Sequence, residues 1–136
     1  MLSRFKFLLG LMFCLAGASG VFAQGALDYF NRAAQEERSG DFGGTITNAT
    51  RAIELQPDLV QAYFLRGSAE QVLSNYDEAI ADFERVTSMK PGWAVAYKED
   101  ALARGAKGDW QGMADELKQT QSNAGDEGHL AVEIRG

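Results

Sequence analysis

The sequence predicts an all-α chain built as an array of three stacked helical hairpins, and several sets of equally spaced residues predict it. Tyr29, Tyr63 and Tyr97 stand 34 residues apart (63−29 and 97−63). Phe42, Tyr76 and Trp110 keep the same interval, as do the small residues Ala33, Gly67 and Ala101. The chain's two prolines, Pro57 and Pro91, obey it as well. A period in this range marks supersecondary units that bury their apolar faces against one another, because a unit of that size encloses no core alone.

Closing each unit at its proline divides the chain into residues 26–59, 60–93 and 94–123, with 124–136 left as a C-terminal tail. Each unit reads as helix, tight turn, helix. In the second, Tyr63, Arg66, Gly67 and Glu70 follow the i, i+3, i+4, i+7 spacing of one helical face. Ser74-Asn75-Tyr76-Asp77 interrupts the pattern with turn-forming residues, and Ala79, Ile80, Phe83 and Val86 resume it. Met89-Lys90-Pro91-Gly92 stops it, since proline lacks the N–H and clashes with the preceding turn. Gly40-Asp41-Phe42 and Gly108-Asp109-Trp110 fill the same turn in the outer units. Glycine there accepts a positive φ at the end of the first helix, and Asp or Asn can cap the start of the second. A small residue held mid-helix at 33, 67 and 101 predicts close approach of the paired helices, because glycine there otherwise costs about 1 kcal/mol against alanine.

After Gln121 the pattern ends. Ser122 to Gly128 reads as a flexible linker, and the alternation of Leu130, Val132 and Ile134 fits a short strand or a stub of helix equally well. Because the last unit of such an array exposes apolar surface, either this tail folds back over Met113 and Leu117 or two chains cover each other as a homodimer through the C-terminal repeat.

The first 23 residues read differently from the rest. MLSRFKF carries two basic residues, an apolar stretch follows, and Val21-Phe22-Ala23 offers small side chains for a signal peptidase. The expectation is a secretory signal peptide over 1–23 and an exported protein, periplasmic or secreted, with no membrane attachment after cleavage; the rival reading is a retained membrane anchor, for which the unbroken apolar run is short against about 30 Å of hydrocarbon. The only cysteine, Cys14, falls inside this segment and lacks the preceding small pair of a lipoprotein signal. The mature chain then has neither disulfide nor zinc–thiolate site. Removing Arg4 and Lys6 leaves 11 of the 13 basic residues against 19 acidic ones, a net charge of −8. That charge repels phosphate backbones and argues against nucleic-acid binding.

Tyr63, Gly67, Tyr76, Ala79, Phe83 and Pro91 together resemble the signature of the tetratricopeptide repeat family. The outer units keep Tyr29, Ala33, Gly40-Asp41-Phe42 and Pro57, and Tyr97, Ala101, Gly108-Asp109-Trp110 and Leu117. They depart from it at Arg32, Glu36, Thr45, Asp100 and Arg104, and the third has no closing proline. The resemblance implies a right-handed superhelix whose first helices line a concave groove that binds a peptide or helix of a partner protein. Carried over residue by residue, the groove positions include Phe30, Phe64, Leu65, Ser68, Gln71, Lys98 and Leu102, with Ala34, Glu37 and Glu99 beside them. The apolar members either anchor a partner segment or pack between adjacent first helices. The basic clamp with which part of the family holds chaperone C-termini is absent, because its positions are Phe30, Ala34, Leu65, Val95 and Glu99.

No residues suggest catalysis, a metal or a cofactor. His129 is the single histidine and has no partner ligand. Asp115-Glu116 and Asp126-Glu127 are adjacent pairs, unlike carboxylates spaced across a cleft for acid–base chemistry. Asn48-Ala49-Thr50 matches a glycosylation triplet but falls inside a predicted helix. Gly43-Gly44 lacks the lysine of a phosphate loop. The expectation is a non-enzymatic interaction module, an adaptor or assembly factor, or alternatively an accessory subunit of an envelope or secreted complex.

Overall fold

The computed structural model describes residues 24–133, with side chains through Asn123. The expected signal peptide lies outside the described residues. Six helices follow in order: α1 over 24–39, α2 Phe42–Leu55, α3 Val60–Val72, α4 Tyr76–Met89, α5 Ala94–Lys107 and α6 Trp110–Glu133. The array is the expected all-α, right-handed stack of three helix-turn-helix units.

The three intra-unit turns are the same turn. Gly40, Ser74 and Gly108 all adopt left-handed φ, at 82°, 64° and 94°. In each, the next residue's N–H returns to the first helix: Asp41 to the Glu36 carbonyl at 2.9 Å, Asn75 to Glu70 at 2.9 Å, Asp109 to Arg104 at 2.8 Å. Asp41 and Asp109 cap the second helices as expected, accepting from Gly44 N–H at 2.9 Å and Gly112 N–H at 3.0 Å. Asn75 differs. Its amide donates to the Glu70 carboxylate at 2.6 Å and makes no cap bond, so a neighbouring charge outcompetes the weaker backbone contact.

The turns between units also repeat. Gln56 N–H and Lys90 N–H close on the Ala52 and Val86 carbonyls, and Leu59 and Trp93 then start the next helix. Close approach inside a hairpin shows at Gly67, where a Cβ would stand 3.0 Å from Phe83 Cε1 and 3.3 Å from the Ala79 carbonyl oxygen. The core is a column of small side chains around a few large ones, with Ala33, Ala49, Ala52, Ala62, Ala79, Phe83 and Val86 fully buried.

Contacts fix the curvature. Successive helices pack on each other, and α3 also touches α5, whereas α2 does not touch α4 and α4 does not touch α6. The first helices are therefore on the inside of the curve and the second helices on the outside.

The C-terminal segment departs from expectation. Ser122 to Gly128 is neither linker nor turn; α6 runs unbroken to Glu133, ten residues past the length of α2 or α4. Once a helix is nucleated, each further residue adds one backbone bond, so a glycine pair slows propagation without ending it. Asn123 adds a tertiary tie, donating its amide to the Pro91 carbonyl at 3.1 Å. A continuous helix also cannot fold back on itself. At a rise of about 1.5 Å per residue, Leu130 stands roughly 20 Å from Leu117 along the same axis.

Candidate functional site

The inner surface belongs to α1, α3 and α5, and the structure divides the expected groove residues into two sets. Phe30 is half-buried against Ala33, Ala49 and Leu65, and against Ala52, Leu59 and Ala62. Leu65, at 8% exposure, is core: it sits over Ala33 and Ala49 and has little surface left for a partner. Phe64 stacks on Trp93, with centroids 4.9 Å apart and planes inclined 26°, and meets Phe83 at 5.7 Å in a tilted pair. These contacts join α3 to α4 and to the turn before α5, so Phe64 works as a structural joint with one partly open edge.

The other set is available. Leu102 is 47% exposed, Lys98 is exposed, and Ser68 and Gln71 are half-buried. Gln71 Oε1 is buried with no hydrogen-bond partner. An unpaired buried acceptor costs about 1–3 kcal/mol, which a donor brought by a ligand or by water would recover.

Three further apolar side chains on the first helices are exposed that the sequence reading did not count among the apolar groove residues: Leu27, Val72 and Val95, the last named there only as a clamp position. Val95 and Leu102 share one face of α5 at i, i+7. Leu27 holds the place of Val95 two periods earlier, three residues before Phe30. The signal was present in the repeat register, but a single exposed leucine or valine is ordinary until its neighbours are known.

Polar ties run within the hairpins and between them, and several use departures from the repeat signature. Asn48 donates to both Glu36 carboxylate oxygens, at 3.0 and 2.8 Å, so this amide of the glycosylation-like triplet is engaged mid-helix. Arg66 makes a bidentate pair with Asp82 at 2.8 and 2.7 Å and donates to Thr50 Oγ1 at 3.1 Å. The hydrogen bond to Asp82 is the main cause that raises the guanidinium's pKa. In the third unit Arg104 binds Asp100 at 2.9 Å, Glu84, and Asp109 at 3.5 Å. Burial pushes the Asp100 carboxyl up to about 6, and Arg104 only partly offsets it. Burial also lifts Glu116. Arg104 itself is held above its usual value because Asp100 and Glu84 outweigh its own desolvation. The buried charges are thus paired, Asp82 with Arg66 across two helices and Asp100 with Arg104 within α5, which is how buried charges persist.

No group of His, Cys, Asp or Glu among the described residues could hold a metal. Among the same residues, no helix is long and apolar enough to cross a membrane.

Stacked hairpins with an inner face built from the first helices define the tetratricopeptide-type fold. Solved structures agree: MamA superposes with a TM-score of 0.73 at 24% identity, over 76% of this chain and 57% of that one. The second TPR of Spaghetti (RPAP3), bound to the HSP90 peptide SRMEEVD, gives 0.72 at 18%, over 77% and 96%. Serine/threonine-protein phosphatase 5 of Homo sapiens is 33% identical over 66 residues, 48% of this chain but 13% of the phosphatase. This chain therefore spans about an eighth of that relative. No protein-family profile matches the chain.

Proposed function

We propose that this protein is an exported, non-enzymatic interaction module that holds a peptide or helix of a partner against its inner face, as an adaptor or assembly factor, in a periplasm or outside the cell. The observation carrying this reading is the set of exposed apolar side chains on the first helices, Leu27, Val72, Val95 and Leu102. The RPAP3 domain with its bound HSP90 peptide supports the mode of binding. The ligand here has different chemistry. SRMEEVD is acidic, whereas the positions that would clamp such a peptide are Phe30, Ala34, Leu65, Val95 and Glu99. An apolar segment suits this surface, with its charge, if any, placed to meet Lys98 or Glu99.

A second reading, an accessory subunit of an envelope or secreted complex, is favoured by a different observation: Trp110 at the end of the stack is 68% exposed. Affinity capture from the native exported fraction separates the two. Leu102→Glu is expected to lose the partner while circular dichroism stays that of the parent, since Leu102 lies outside every buried cluster. Partner retained by Leu102→Glu and lost by Trp110→Ala moves the function to the end face. Phe64 is not used for this test, because its stacking on Trp93 and Phe83 makes it part of the fold. Mass spectrometry of the exported protein checks the compartment, with Gln24 expected as its first residue.

A further inference from the structure

The charge of this chain is unevenly divided between its two faces. The first helices α1, α3 and α5 carry six basic and six acidic residues, so the inner face is neutral. The second helices α2, α4 and α6 carry three basic and ten acidic residues and hold most of the net negative charge. On the neutral face Leu27, Val72, Val95 and Leu102 are exposed. An uncharged apolar segment fits such a face, because a charge brought onto it would lose water with little net opposite charge to meet it.

One segment of this chain has that composition. Residues 7–23 carry no charge and include Phe7, Leu8, Leu9, Leu11, Met12 and Phe13. Arg4 and Lys6 stand ahead of them, opposite in sign to the acidic remainder of the chain. The segment lies outside the described residues, and it ends where α1 begins, at Gln24. Leu27, the fourth residue of α1, is therefore the exposed apolar side chain nearest its attachment in sequence. Packed helix axes lie about 8–10 Å apart, so crossing from α1 over α3 to α5 takes roughly 20 Å. The stretch 7–23 would reach about 25 Å as a helix and about 55 Å extended, enough for Leu102 on α5 in either form.

We propose that in the uncleaved chain residues 7–23 lie along the inner groove and block it, and that removal of the segment opens the groove to the partner. This regulation rests on the groove reading given above. It confines partner binding to the exported form, since the segment expected to direct export covers the site until it is cut. Weak affinity suffices. Tethering holds the segment at an effective concentration of about 1 mM, so a free affinity of only about 0.1 mM fills roughly nine grooves in ten. The same affinity lets the cut segment leave at micromolar protein.

The test uses the full chain with Cys14→Ser and Leu102→Cys, which leaves one thiol, on the groove. A specific protease site inserted between Ala23 and Gln24 lets one preparation be read before and after the segment is released. Maleimide labelling at position 102 is expected to be roughly tenfold slower before release than after. A second chain, with Cys14→Ser and Gln119→Cys on the exposed side of α6, is expected to label at one rate throughout. Leu8→Asp with Leu11→Asp in the segment is expected to abolish the protection. Three results would overturn the proposal. One is equal labelling at position 102 before and after release. Another is equal slowing at position 119, which would mean general association of the apolar segment. The third is protection that fades on dilution, which would assign the groove to the segment of a second copy. Capture of a partner by the released chain bears on the groove reading and labelling bears on its occlusion, so the two can fail separately.

Discussion

Acidification from pH 7 to pH 5 is expected to stabilise this fold, through Asp100. Its side chain is 1% exposed, and the groups facing it are Arg104 on its own helix, Glu84 on α4 and Glu116 on α6. One guanidinium serves several carboxylates there, and burial dominates, so the folded pKa rises from 3.8 to about 6. A carboxylate raised in this way binds more protons in the folded state than in the unfolded chain between these two values. Stability is therefore greatest below the lower pKa and is lost as pH rises through the higher one. Between pH 5 and pH 7 the loss integrates to about 1.3 kcal/mol, an upper figure because solvent reaches the cluster past exposed Glu84. For a domain of this size that corresponds to a melting temperature roughly 5 °C higher at pH 5. Glu116 shifts in the same direction, and the acidic chain repels itself less at lower pH, so the wild-type slope alone is not diagnostic. Asp100→Asn keeps an oxygen for the Arg104 N–H and removes the titration. Urea unfolding of both proteins at pH 5, 6 and 7 should show a clearly shallower dependence in the variant. Parallel slopes would refute the assignment of a buried, proton-binding Asp100.

Arg66→Ala should destabilise by about 3–5 kcal/mol in urea unfolding, because it leaves the buried Asp82 carboxylate without its bidentate partner. Arg66→Met, of similar length, should lose as much, since neither replacement carries a charge. Phe83→Ala should cost about 3–5 kcal/mol, as the fully buried ring fills the joint between the second and third units. Ser74→Gly should gain about 0.5 kcal/mol, because serine sits at a φ of 64° where glycine is unstrained, while Gly108→Ala at 94° should lose about 1–2 kcal/mol. Thermal melts of the pair check both signs at once.

Much of the fold was legible in the sequence because the repeat supplies three readings of each position. The left-handed turn residues at 40 and 108, the aspartate caps, the helix stops at the prolines and the small residue at 67 all follow from local steric rules. Such rules act within a few residues and need no tertiary information. The candidate site was less legible. The groove positions came as one set of first-helix residues, yet Leu65 points into the stack and Leu102 away from it, and both are leucines. Periodicity assigns a helical face, but the depth of burial depends on the neighbouring helix, whose angle the sequence does not state.

The 34-residue period by itself determined the number of units, their turns and their order, because each unit's backbone is closed by bonds between residues close in the chain. Tertiary structure alone decided the remainder. It paired Arg66 with Asp82 across α3 and α4, and it tied Arg104, a departure from the repeat signature, to Glu84 of the preceding unit as well as to Asp100 of its own helix. It also carried α6 through the predicted linker and left Trp110 uncovered. The reason is physical: charge pairing and burial are set by which surfaces meet, and those meetings join residues far apart in the chain.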